Sequence, residues 1–202
     1  GAMAHTGRAV SLSLVGNALA GTAGTAAALV PIDGTPAVVG FVRLSIGAVT
    51  LLVLAPFFGG NIRALPGLVL RPGVWVMAAS SATYQALFFA AVQSSGVAAA
   101  ALVTVGCVPV AAGVVGWLVL RERPNWVWFL ATSVAVSGLA LRSAGDLHTG
   151  NASGLWLAVA AGSGIGGYLN AAKVEIRRGG HPLQLPGMAY LLGSLGLLPI
   201  IG

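Results

Sequence analysis

Residues 72–120 read PGVWVMAASSATYQALFFAAVQSSGVAAAALVTVGCVPVAAGVVGWLVL, forty-nine positions without a charged side chain between Arg71 and Arg121. A membrane-spanning helix needs about 20 apolar residues at a rise of ~1.5 Å each, so this interval is too long for one span and right for two. Its one polar cluster with a chain breaker is Gln93-Ser94-Ser95-Gly96. That cluster predicts a tight hairpin between helices at 73–93 and 97–120.

Outward from this hairpin, further uncharged intervals run over 9–32, 44–62, 124–141, 147–172 and 179–202. They predict five more helices, at 9–29, 37–58, 125–141, 153–172 and 184–201. The breakers agree. Pro31 and Pro36 bracket the first loop, Gly59-Gly60-Asn61 and Pro72 the second, Pro124 opens the fifth helix, and Gly179-Gly180-His181-Pro182 precedes the seventh. The composition supports the same class: 57% of the 202 residues are hydrophobic and 7% charged, against roughly a quarter charged in soluble domains. With 30 glycines and a mean hydropathy of +0.93, a water-soluble globular fold is excluded. The expected fold is an all-α polytopic membrane protein with about seven transmembrane helices.

The net charge of +6 would suggest nucleic acid if the basic residues formed one patch. They are spread instead by topology. Arg8, Arg63, Arg71, Arg121, Arg123, Lys173, Arg177 and Arg178 fall at one set of helix ends, Arg142 alone at the other, and Arg43 inside a span. By the positive-inside rule the amino terminus and the basic loops are cytoplasmic, and nucleic acid is not a partner. The opening residues also admit a signal-peptide reading, with Ala18-Leu19-Ala20 as its cleavage site. Their apolar run continues to Val30, past the ~7–15 residues such a segment uses. Cys107 alone allows neither a disulfide framework nor a multi-cysteine metal site. Asn151-Ala152-Ser153 matches a glycosylation acceptor, a chance match outside a secretory route.

Polar groups inside the spans are the candidate functional residues. Arg43 lies about seven residues into the second helix, ~10 Å deep by helix rise. It either snorkels to the headgroups or places a fixed positive charge at a central cavity. On the first helix Ser13, Asn17, Gly21 and Thr25 recur every fourth residue; Ser81, Tyr84, Gln85 and Phe88 mark the third, and Gly162, Gly166 and Asn170 the sixth. Three such stripes imply a shared interior, although helix packing alone accounts for each. From these stripes the substrate-cavity candidates are Asn17, Thr25, Arg43, Tyr84, Gln85 and Asn170. Pro109, in the middle of the fourth helix, predicts a kink that is either a gate or a static bend. An intramembrane enzyme would need a base near a nucleophile, but His5, His148 and His181 fall in or beside loops. Asp33, Glu122, Asp146 and Glu175 are likewise at helix ends or loops. No cofactor, metal site or buried carboxylate relay is expected, and any proton coupling has to draw on groups elsewhere.

The hairpin Tyr84–Ala100, Pro109, and Glu122 thirteen residues on in Leu120-Arg121-Glu122-Arg123-Pro124 together resemble the EamA-type family of the drug/metabolite transporter superfamily. That family ends this helix in a Leu-Gly-Glu-Arg-like sequence, and Arg121 stands here in the glycine's place. Arg43 resembles the arginine common near the start of the family's second helix. The resemblance implies a ten-helix transporter built as two five-helix inverted repeats. Residues 1–8 would then be a cytoplasmic segment, 9–141 the first repeat, 142–152 the inter-repeat loop, and 153–202 the start of the second, in a longer protein. It further implies alternating-access transport of amino acids, related metabolites or drugs across a bacterial plasma membrane, with efflux the favoured direction. The bilayer and a small-molecule substrate are the implied partners, and an oligomer is compatible. A non-transporting seven-helix receptor or structural protein is the competing class.

Overall fold

The computed structural model describes residues 36–121, 125–146 and 152–201. The candidates Asn17 and Thr25 lie outside the described residues. Helix α1 spans Pro36–Leu54 and runs on as a 3₁₀ turn over Ala55–Phe58. A second 3₁₀ turn, Ile62–Ala64, leads into the single turn α2, Leu65–Leu68. The long helices follow: α3 Pro72–Ser95, α4 Val97–Leu120, α5 Trp126–Asp146, α6 Ala152–Arg177 and α7 Gln184–Ile201. No strand occurs among the described residues.

Four of these helices are long and apolar enough to cross a bilayer: α1 with its 3₁₀ continuation, α3, α4 and α7. The apolar part of α5 is shorter, Trp126–Gly138. Helix α6 is glycine-rich because it is wedged between neighbours, packing along most of its length on both α3 and α4. Its buried face carries Gly154, Ala158, Gly162, Gly166 and Asn170 at four-residue intervals. A Cβ on Gly162 would lie 2.6 Å from the Thr104 carbonyl oxygen, and one on Gly166 2.7 Å from the Ala111 carbonyl carbon. Lipid supplies no hydrophobic force between helices, so this backbone approach is how α6 and α4 gain van der Waals contact. Helix α7 packs between α1 and α3, while α5 packs chiefly on α4. Exposed Phe57, Phe58, Trp75, Trp117 and Trp126 gather near the helix ends that carry Arg63, Arg71 and Arg121, as an aromatic interfacial belt does. We call this the basic end, and the opposite one the hairpin end.

Local chemistry explains the boundaries. The predicted hairpin breaks at one residue, Gly96, whose φ of 82° is open to glycine at no steric cost. Its amide donates to the Val92 carbonyl at 2.8 Å, closing α3, and its carbonyl accepts from Ala100 at 3.1 Å, opening α4. The sixth helix reaches Arg177, five residues past the expected 172. Lys173, Glu175 and Arg177 interrupt lipid compatibility without interrupting the helix. The stop comes where Gly179 and Gly180 donate to the Ile176 and Glu175 carbonyls, at 3.0 and 2.9 Å.

Arg121 caps α4 in the left-handed conformation, φ 54° and ψ 28°, the only non-glycine residue with positive φ among those described. A side chain there costs about 1 kcal/mol relative to glycine. Arg121→Gly is therefore expected to stabilise the protein by about that amount. Thermal unfolding in detergent measures it.

Candidate functional site

Helix rise places Arg43 two turns into α1 from the hairpin end. Its guanidinium is half-buried, donates to Gln85 Oε1 at 3.4 Å, and sits 5.4 Å from the centroid of the Phe89 ring. Charge at this depth is costly in lipid; a ring face and an amide oxygen offset part of that cost. Both partners belong to α3, so the side chain turns into the bundle. A single long hydrogen bond leaves most of the guanidinium donors uncommitted among the described residues.

Aromatic rings build the rest of the site. On α3, Tyr84 stacks on Phe88 with centroids 5.5 Å apart, and Phe88 meets Phe89 edge-on at 5.4 Å. Tyr84 lies within electrostatic range of Arg43 and of Tyr190 on α7. The Tyr190 ring passes over Gly47, one turn along α1 from Arg43, where a Cβ would lie 3.2 Å from it. Tyr168 of α6 stacks on Tyr190 at 6.0 Å and 23°. All three tyrosines of the chain thus line one interior region, on three different helices. Sequence reasoning singled out Tyr84 and missed Tyr168 and Tyr190. The available signal was that each lies within a span, where tyrosine is otherwise an interfacial residue.

The structure brings Arg43, Tyr84 and Gln85 together. Asn170 lies elsewhere, on the α4 side of α6, where its amide donates to the Ala112 carbonyl and to the Gly166 carbonyl, each at 2.9 Å. Pro109 is also on another face. Helix α4 continues through it from Val97 to Leu120, and its carbonyl accepts from the Trp128 indole of α5 at 2.8 Å. Gly113, one turn on, leaves room for that indole. A cleft of about 460 Å³ between α3 and α7 is lined by Ala79, Thr83, Leu192, Gly196 and Ile200, among others. Its lining among the described residues carries no charged side chain, in contrast to the surroundings of Arg43. Glu175, placed at a helix end by the sequence, proves to be buried, with 1% of its side chain exposed.

The arrangement offers a fixed positive charge, an amide and phenol hydroxyls against aromatic walls. Among the described residues it pairs no nucleophile with a base. Comparison with known proteins accords with this chemistry. The EamA-like transporter family matches residues 7–144. The chain is also similar to the "Uncharacterized transporter YwfM" of Bacillus subtilis (strain 168), 30% identical over 182 residues that cover 90% of this chain. The chain spans 60% of the length of that relative. No solved structure matches. With two thirds of its length matched by one family, and a bundle of apolar helices to go with it, this multi-pass membrane protein belongs to the EamA-like transporter family.

Proposed function

We propose that the protein carries small metabolites, amino acids and related carboxylated compounds among them, across a bacterial plasma membrane by alternating access, in the export direction. The observation that carries this reading is the interior Arg43 guanidinium, framed by Gln85, Phe89 and Tyr84 and largely uncommitted among the described residues. A guanidinium in a low-dielectric interior attracts a carboxylate, and the tyrosine rings suit the apolar remainder of such a solute. The family match over 7–144 supports reading 9–141 as one repeat unit, and 153–202 would then be the start of a second. Export is the direction that the family resemblance implies. The transport test is efflux of a labelled amino acid panel from cells producing the full-length protein. Export above background supports the reading, and export equal to an empty-vector control for every solute contradicts it.

In the proposed orientation the basic end faces the cytoplasm. Single cysteines in a Cys107-free, full-length background are expected to label from outside at Asp33 or Thr149, and not at Asn61 or Arg178. Labelling of Asn61 from outside in intact cells would reverse the orientation.

A further inference from the structure

Polar ties among the described residues cross the basic end, and three of them join a group before residue 72 to one after residue 174. Glu175 Oε2 on α6 accepts from Arg71 Nη1 at 3.2 Å. Gln184 Nε2 at the start of α7 donates to the Asn61 carbonyl at 2.8 Å. His181 Nε2 lies 3.1 Å from the Phe58 carbonyl oxygen. Glu175 is the hub: its other oxygen accepts from Arg178, in the turn just past the end of α6, at 3.3 Å, and Gly73 admits it, since a Cβ there would collide with the carboxylate. Behind these ties lies an apolar plug of Leu68, Val74 and Met77 against Leu185 and Met188, with Tyr168 packed on it. Tyr168 in turn stacks on Tyr190 of the candidate site. Apolar packing and then an ion pair thus lie between that site and the basic end.

We infer that the Arg71–Glu175 pair is a clasp that holds the two proposed repeats shut at the basic end and has to part for the site to open there. The inference rests on the transport reading for its purpose, but not for its test. A carboxylate this deeply buried is strongly destabilised once its partner leaves, unless water enters. The pair therefore favours the closed state, and its rupture coincides with hydration of the path. Arg178 cannot serve the same end. It pairs with Glu175 only three residues away, within the same end of α6 and the turn that follows it, and its side chain is 62% exposed.

The experiment uses the full-length protein with Cys107→Ala and Met188→Cys, a reporter in the plug just behind the clasp. Inverted vesicles expose the basic loops to a membrane-impermeant maleimide. Arg71→Gln and Glu175→Gln are expected to raise the labelling rate of Met188→Cys roughly fivefold or more, and Arg178→Gln to leave it near the parent rate. Size-exclusion chromatography checks that each variant remains folded. If Glu175→Gln does not fold, Arg71→Gln carries the test alone. Parent-like labelling in folded Arg71→Gln overturns the inference, and so does an equal rise in Arg178→Gln. The readout needs no substrate. Labelling that rises in a protein that transports nothing keeps the clasp and removes the transport reading, while unchanged labelling in an active transporter does the reverse.

Discussion

Gly166→Leu is expected to prevent α6 from seating against α4, and the cost should exceed about 3 kcal/mol, at or beyond the upper range for overpacking a close contact. Even a methyl group at this position would lie 2.7 Å from the Ala111 carbonyl carbon and Cβ, and 2.8 Å from the Ala112 amide nitrogen. These are backbone or near-backbone atoms that no rotamer change can move aside. Relief requires the two helices to separate, which also strains the Asn170 hydrogen bond to Ala112 and the Thr104 bond to the Ala158 carbonyl. Because α6 touches α3 along its opposite face, displacement cannot be absorbed on that side. Gly138→Ala is the control, since a Cβ there meets nothing within 4 Å, and alanine in a helix interior is favoured over glycine by roughly 0.5–1 kcal/mol. Fluorescence-detected size-exclusion after a temperature ramp measures both. The leucine variant should be lost or aggregated where the control survives, and equal survival would refute the wedge description of α6.

Uncharged intervals between charged residues located six of the expected helices among the described residues, because lipid disfavours charge across a span and leaves few alternatives. The hairpin was legible from Gly96, and the end of α4 from a family pattern whose glycine position turns out to need a left-handed backbone at Arg121. The end of α6 was less legible. Lys173 and Glu175 look like the start of a loop when charge is taken as a boundary, yet a helix can leave the lipid core and continue. The burial of Glu175 depends on Arg71, 104 residues earlier in the chain, and no local pattern encodes that meeting. Periodicity marked polar stripes on α3 and α6 alike. It could not say that Gln85 faces Arg43 while the amide of Asn170 is held by carbonyls of α4 and its own helix, because both lie on interior faces. Tyr168 and Tyr190 escaped because each stands alone among apolar neighbours, and only the packing of α6 and α7 around α3 brings them together with Tyr84.

Arg43 carries the second large effect. If its guanidinium meets a carboxylate inside the bundle, Arg43→Leu removes a charge-assisted hydrogen bond pair worth about 1.5–3 kcal/mol, or roughly 10- to 100-fold in affinity. Arg43→Lys keeps the charge but loses the planar fork and its reach to Gln85 and the Phe89 ring, so a loss of about tenfold is expected. A residue that only anchors the helix at the headgroups behaves differently: lysine would replace it without penalty, and leucine would change tilt or expression while binding stayed intact. The deciding measurement is the dissociation constant of the full-length, folded protein for the amino acid that stabilises it most in a thermal-shift panel, compared among the parent, Arg43→Lys and Arg43→Leu. The account predicts a graded loss, about tenfold and then up to about 100-fold. Parent-like affinity in Arg43→Leu would contradict it and leave Arg43 as a lipid anchor.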